Sequence, residues 1–511
     1  MRRITFFIFL SAFLLLRPYL VQLRGLCGAV DDYGYFSHAA AIVYGQFPSY
    51  QKDYFSSDSH DKKTIGPMET IGPGIMATPF VLAFSLGDRI LKSDIVLQRT
   101  KTNVPHSWSF FGFVIASIFY FWLGCLLLYR GLKYYVPPLH ASWTVILMVI
   151  CQGMPMYVFQ APVLSHVYEF FFQCCFIYLL LQWNQPGRTC VWSWQKLVLI
   201  GALSAFTFLT RYNNIFSAFM WPFVFLLSQL SDFRKAVFYK RLGIVAIVFV
   251  ILVTLLKFIP NLLGQHEGYP KGVYDLFGIE PWSFYVRRFF HILFGIDWGL
   301  LYSAPFILVG LGALAILRFP LKRRLWMAVL PLAANFYIVM MWRCQGGAYG
   351  YRYFFPAMVP LLVYPLALLI QKLVKRFGPR AFGALCLMAM FPVVSMLFYC
   401  GNQTSLDFYG VMQYFDLEAY GNNTFQLESW EIILFSPVHG LFVLAQGGLL
   451  YLYYLLRVIL QTTDTMPTFL YARYPEFKVW VLARVLMIYS APFCFYGLLG
   501  MMKRLWSKKG E

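Results

Sequence analysis

The sequence predicts an all-α, polytopic integral membrane protein, and three observations carry that expectation. The 511-residue chain is 59% hydrophobic and only 13% charged, about half the charged fraction of a soluble globular protein. Its apolar residues fall into runs of the roughly 20 residues that a bilayer-spanning helix needs. Its basic residues gather in the short links between those runs, as the positive-inside rule requires. The same numbers exclude a disordered, collagen-like or disulfide-built chain.

The formal net charge of +20 comes from 42 Lys and Arg against 22 Asp and Glu. On a soluble chain such an excess would point to nucleic acid. Distributed between apolar runs it sets topology instead, and no nucleic-acid partner is expected. The ten cysteines form no Cys-x-x-Cys pair and no ligand spacing with histidine, so neither a metal centre nor a disulfide framework is expected.

The strong runs lie at 4–23, 108–130, 139–158, 164–183, 195–211, 213–230, 242–260, 299–317, 325–342, 353–371, 381–400, 436–457 and 479–502, about thirteen spans. The first begins Met1-Arg2-Arg3, lacks a small-residue cleavage site and is too long for a signal peptide. It is expected to be a retained anchor with a cytoplasmic N-terminus. A further run, 73–87, is short and carries Pro73, Gly74 and Pro79 just after Gly72. If it does not span, the basic links 130–134, 231–241, 318–324 and 372–380 all fall inside; if it does, all fall outside. It is therefore expected as a re-entrant or interfacial piece against the outer face. Three substantial loops, 24–107, 261–298 and 401–435, then face outward, and chemistry is expected there. The same count leaves Lys503, Arg504, Lys508 and Lys509 outside, against the rule, so the topology is firmest up to about residue 400.

In the first outer loop Phe36, Ala39, Ala40 and Val43 recur at helical spacing, which predicts an amphipathic helix lying on the membrane surface. Asp32 is expected as its N-cap and Gly45 as its C′ terminator. Asp31 and Asp32 stand at its start. One reading makes one of them a plain cap and the other a solvated neighbour; the other makes one a general base at the interface. Adjacent residues do not share a helix face, so a base and an orienting partner are the natural division of labour.

These residues carry a resemblance. Asp31-Asp32, Tyr35 and Ala39, in the first outer loop, resemble the signature of the GT-C superfamily. Its members are polyprenyl-phosphate-sugar-dependent glycosyltransferases, among them the protein O-mannosyltransferases and the bacterial aminoarabinose transferase. Thr70-Ile71-Gly72-Pro73-Gly74, Val163-Leu164-Ser165-His166, Gly295-Ile296-Asp297-Trp298-Gly299-Leu300-Leu301 with Pro305, and the segment Trp342 to Pro356 with Arg352-Tyr353 are similar to further family segments in the same order. The Lys-Pro-Pro that precedes the glycine/proline segment in the aminoarabinose and mannosyl branches is missing.

The resemblance implies a membrane catalytic module over residues 1–400 and a variable C-terminal membrane region over 401–511. It implies inverting transfer of a sugar from a polyprenyl-phosphate donor to a lipid, glycan or protein acceptor. The active site would face the periplasm or outside of a bacterial inner (plasma) membrane. No cofactor is implied, and divalent-metal dependence stays open. Asp31 is the implied base, with Asp32 beside it and Tyr35 as a substrate contact. Arg352 is the first candidate for the leaving phosphate, since a guanidinium matches phosphate bidentately; its plainer reading is an interface anchor. Arg211 and His166 are further phosphate candidates. His166 and Glu169, at i and i+3, share a helix face; Glu169 is a candidate substrate contact, and a packing pair is their alternative reading. Arg287, Arg288 and His291 gather on one side of a possible helix in the second large loop, as interfacial anchors or as lipid-phosphate contacts. The rival functions are a polytopic lipid or glycan transporter (flippase) and an envelope polymer ligase. The ligase would be expected to carry an Arg/His-rich outer loop instead of an acidic pair.

Overall fold

The computed structural model describes residues 1–15, 30–48, 70–91, 108–159, 162–187, 191–227, 230–260, 300, 304–341 and 354–404. Among them there are helices and no strands, as the fold class requires. In chain order the helices are α1 (Arg2–Leu15), α2 (Val30–Val43), α3 (Gly72–Ile90), α4 (Trp108–Leu132), α5 (Pro138–Ile150), α6 (Met154–Phe159) and α7 (His166–Trp183). Then follow α8 (Trp194–Thr210), α9 (Ile215–Leu226), α10 (Ala236–Phe258), α11 (Pro305–Ile316), α12 (Lys322–Met341), α13 (Phe355–Phe377) and α14 (Pro379–Thr404).

Three of these, α4, α10 and α13, are long and apolar enough to cross a membrane. α5, α8, α9, α11 and the start of α14 are apolar but shorter. The expected thirteen spans are therefore not reached among the described residues, and the runs 436–457 and 479–502 lie outside them. One run shows why. The stretch 139–158 reads as one span, yet it is two helices. α5 ends in a wide turn at Ile146–Ile150, and a break at Cys151–Gly153 precedes α6. The ring of Phe355, from the start of α13, lies where a Gly153 side chain would be, 2.2 Å from an ideal Cβ. A long-range wedge interrupts an apolar run that sequence alone reads as continuous.

Lipid offers helices no hydrophobic drive to associate, so close packing must supply it. Helix α3 runs antiparallel beside the first part of α4. Gly112 sits against the Phe80 backbone, and the Tyr120 hydroxyl donates to the Met76 carbonyl at 3.1 Å. At the far end Asp88, 1% exposed, accepts from the Trp108 and Ser109 amides at 2.8 Å each. It thereby caps α4 with a charge at the positive helix end. Rings then join α4 to α7, with Phe121 on Phe170 at 5.5 Å and Phe113 on Tyr168 at 6.0 Å. Helix α8 packs on α9 and α10, and α13 on α7 and α11.

Two expectations for the first outer helix need correction. It begins at Val30, so Asp32 is its third residue and not its N-cap. Acidic residues in a first turn face unpaired amides and the positive end of the dipole, so the helix can start before them. Nor does the stretch Gly34–Ala41 expose one face to water. Every residue from Gly34 to Ala41 is buried, because α3 covers one side and α4 the other, with Phe36 at 5.1 Å from Phe110. Gly45 terminates it as expected, at φ +71°.

Candidate functional site

The glycine/proline segment at the start of α3 joins two distant parts of the chain. An ideal Cβ on Gly74 would lie 2.5 Å from the His38 Cβ and 3.2 Å from the Tyr35 carbonyl oxygen, both on α2. One on Gly72 would lie 2.5 Å from the Leu209 carbonyl and 2.7 Å from the Thr210 amide, at the end of α8. Backbone thus meets backbone on both sides of Pro73, a closeness that only glycine permits. The Thr70 hydroxyl adds a bond to the Thr210 carbonyl at 2.6 Å. On the α2 side, the Tyr44 hydroxyl pairs with the Ser109 hydroxyl at 2.7 Å. Burial pushes the Tyr44 phenol above its ordinary range, so it acts as a neutral hydrogen-bonding group.

The residue after Thr210 is Arg211. It leaves the helix in an extended conformation, φ −159° and ψ 136°, and turns its guanidinium toward α7. Its Nη1 lies 3.1 Å from the His166 Nδ1 and 3.8 Å from the Glu169 Oε2. A guanidinium cannot accept, so Nδ1 is the acceptor and the His166 proton sits on Nε2. His166 and Glu169 are 1% and 2% exposed. The i, i+3 spacing therefore does bring them to one face, where they meet through Arg211. Asn214, next to this group, donates to the Thr207 carbonyl at 3.3 Å. The Glu169 Oε2 has no hydrogen-bond partner among the described residues.

Tyr157 of α6 packs at a tilt against His166, with ring centroids 4.9 Å apart, and its ring centroid lies 6.5 Å from that of Phe355. The aromatic wedge that splits the predicted third span thus supports the histidine. Tyr157 and Asn214 carry no motif signal; an apolar run hides the first and a polar turn the second.

The predicted site residues fall into two groups. Arg211, His166 and Glu169 are brought together, and Tyr35 is buried on α2 with its carbonyl against Gly74. Asp31 and Asp32 are in the first turn of the same helix. Arg352, Arg287, Arg288 and His291 lie outside the described residues. Such an arrangement offers a partly buried cation held by a buried imidazole and a buried carboxylate. The helix joined to the end of α8 through Gly72-Pro73-Gly74 carries two acidic residues in its first turn.

No protein-family profile matches the chain, and no curated protein matches it. Among solved structures it is similar to the crystal structure of the Archaeoglobus fulgidus oligosaccharyltransferase in the apo form, with a TM-score of 0.41 and 12% sequence identity. The likeness covers 81% of this chain and 59% of that one.

Proposed function

We propose that this protein is a membrane glycosyltransferase that moves a sugar from a polyprenyl-phosphate donor to an acceptor on the non-cytoplasmic face. Residues 1–400 would be its catalytic module, and 401–511 a region that bears on acceptor choice. The observation that carries the reading is the junction on Gly72-Pro73-Gly74. It joins the helix that bears Asp31 and Asp32 to the α8 end that presents Arg211 to His166. The first-loop helix, the glycine/proline segment and Ser165-His166 are segments on which the sequence resemblance to the GT-C superfamily also rests.

In this reading Asp31 takes the proton of the acceptor nucleophile as it attacks the anomeric carbon. A single displacement inverts that centre and needs no carboxylate nucleophile. The leaving group is a phosphate that is already a stable anion. What it needs is fixed positive charge where the negative charge grows. Arg211 supplies it, oriented by His166 and Glu169, and Arg352 adds to it from two residues before Phe354.

The test is mass spectrometry of envelope lipids, glycans and glycoproteins from a parent strain, a deletion, and deletions restored with wild type or with Asp31→Asn at matched protein level. A sugar lost on deletion, regained with wild type and absent with Asp31→Asn is the expected result, and it also identifies the acceptor. Full restoration by Asp31→Asn would remove that carboxylate as the base. Full restoration by both Asp31→Asn and Asp32→Asn would favour the transporter.

A further inference from the structure

Past Arg211 the chain presents its next side chain in a different direction. Tyr212 faces α10, and the Lys257 ammonium lies 3.5 Å from the centre of its ring. Phe208 and Phe258 stand 5.7 and 5.8 Å from the same nitrogen. Among the described residues no carboxylate lies within ion-pair distance of Lys257; the two ion pairs there join Arg211 to Glu169 and Lys235 to Asp232. The lysine is half-buried, and among the described residues aromatic faces alone hold its charge. Ring quadrupoles attract a cation but neutralise none of it.

The helix that carries this lysine differs from its neighbours. Only 11% of the apolar window of α10 is buried, against 56% for α4 and 67% for α13. Ile247, Val250, Ile251, Leu255 and Phe258 form an exposed apolar stripe that ends beside Lys257. On its inner side the same helix end packs through Leu252, Val253 and Leu256 with Ile71 and Leu209. The lysine therefore stands where a bilayer-facing surface meets the junction of the candidate site. An ionisable residue in a membrane helix marks a pathway or a pairing partner by default.

We infer that Lys257 is a receiving contact for the phosphate of the lipid-linked donor, which reaches Arg211 from the bilayer past Tyr212; this rests on the donor reading above. The ligand that fits has an anionic head for the ammonium and a long apolar chain for the α10 stripe. A polyprenyl phosphate has both.

The experiment measures binding of undecaprenyl phosphate to the full chain in lipid nanodiscs by native mass spectrometry. Undecaprenol, phosphatidylglycerol and inorganic phosphate serve as competitors. Loss of one charge-assisted contact is expected to weaken undecaprenyl phosphate about tenfold in Lys257→Gln. Lys257→Arg keeps the charge and is expected to stay within about threefold of wild type. Undecaprenol should bind wild type and Lys257→Gln alike, and neither phosphatidylglycerol nor free phosphate should compete at equal concentration.

Equal binding of undecaprenyl phosphate by wild type and Lys257→Gln would overturn the inference and leave the donor reading intact. Wild type that does not distinguish undecaprenyl phosphate from undecaprenol would overturn both. Effective competition by phosphatidylglycerol would make Lys257 a general headgroup anchor and overturn the inference alone. If Lys257→Gln does not fold, the Lys257→Arg variant and the wild-type competition decide.

Discussion

The junction around Gly72 and the outer helix α10 are built on opposite plans. At the junction, an ideal Cβ on Gly72 would collide with the α8 backbone and one on Gly74 with the His38 Cβ of α2, and buried polar groups are paired across helices. Along α10, a Cβ on Gly243 would meet nothing within 4 Å, and the apolar stripe faces outward. The difference teaches where the chain spends its structural specificity. Around Gly72 and Gly74 close backbone approach coincides with buried polar groups at the place where distant motifs converge; α10 makes its close approach on its inner side, at Val245 against Gly201, and its outer side is a simple apolar surface.

The largest expected effect is at Arg211. Arg211→Gln leaves Glu169 buried without its cation, a change that costs roughly 3–5 kcal/mol in other proteins. The double variant Arg211→Gln with Glu169→Gln removes the orphaned charge and is expected to recover most of that loss. Thermal unfolding in nanodiscs measures both. A cost below about 1 kcal/mol for Arg211→Gln would put the pair in the class of surface ion pairs and erase the contrast with the periphery.

Gly72→Ala comes next. Overpacking typically costs about 1–3 kcal/mol, and this site belongs at the upper end because backbone cannot move aside as a flexible side chain does. The substitution separates Thr70 from Thr210, so unfolding should shift together with any loss of the proposed glycosyl transfer. Wild-type stability in Gly72→Ala would mean that the approach of α3 to α8 is looser than the geometry states.

Much of this junction was legible in the sequence, for reasons that differ by residue. Gly45 ended the helix after the first run because a positive φ has a residue signature. His166, Glu169 and Arg211 stood out because charge in or beside an apolar run is rare. The burial of α2 was not legible, since the Phe36, Ala39, Ala40, Val43 stripe is the same whether the other faces meet water or helices. Nor was the break at Gly153, whose cause is a phenylalanine some two hundred positions away. Asp88 escaped notice because capping of a helix that begins at Trp108 is a tertiary fact. Lys257 did carry a signal, a lone ammonium in an apolar span, and the rule for intramembrane charges finds it.

Asp88→Ala tests whether the tight plan extends from the glycine end of α3 to its other end. The carboxylate accepts both the first amides of α4 and the Ser109 hydroxyl. Removal of a capping side chain costs about 1–2 kcal/mol, and full burial favours the upper value. Hydrogen exchange at the first turn of α4 should rise with the loss of stability. An unchanged exchange rate there would show that the cap is redundant.

The smallest effect has the opposite sign. Gly243 lies inside α10, and glycine in a helix interior is about 1 kcal/mol less favourable than alanine. At Gly72 the collision with backbone outweighs that preference. At Gly243 nothing opposes it, so Gly243→Ala is expected to raise the unfolding temperature slightly, by a stability gain of up to about 1 kcal/mol, with no change in undecaprenyl phosphate binding. A loss of stability or binding in this variant would mean that another molecule approaches α10 at Gly243 as closely as α8 approaches α3, and the periphery would then hold a second packed interface.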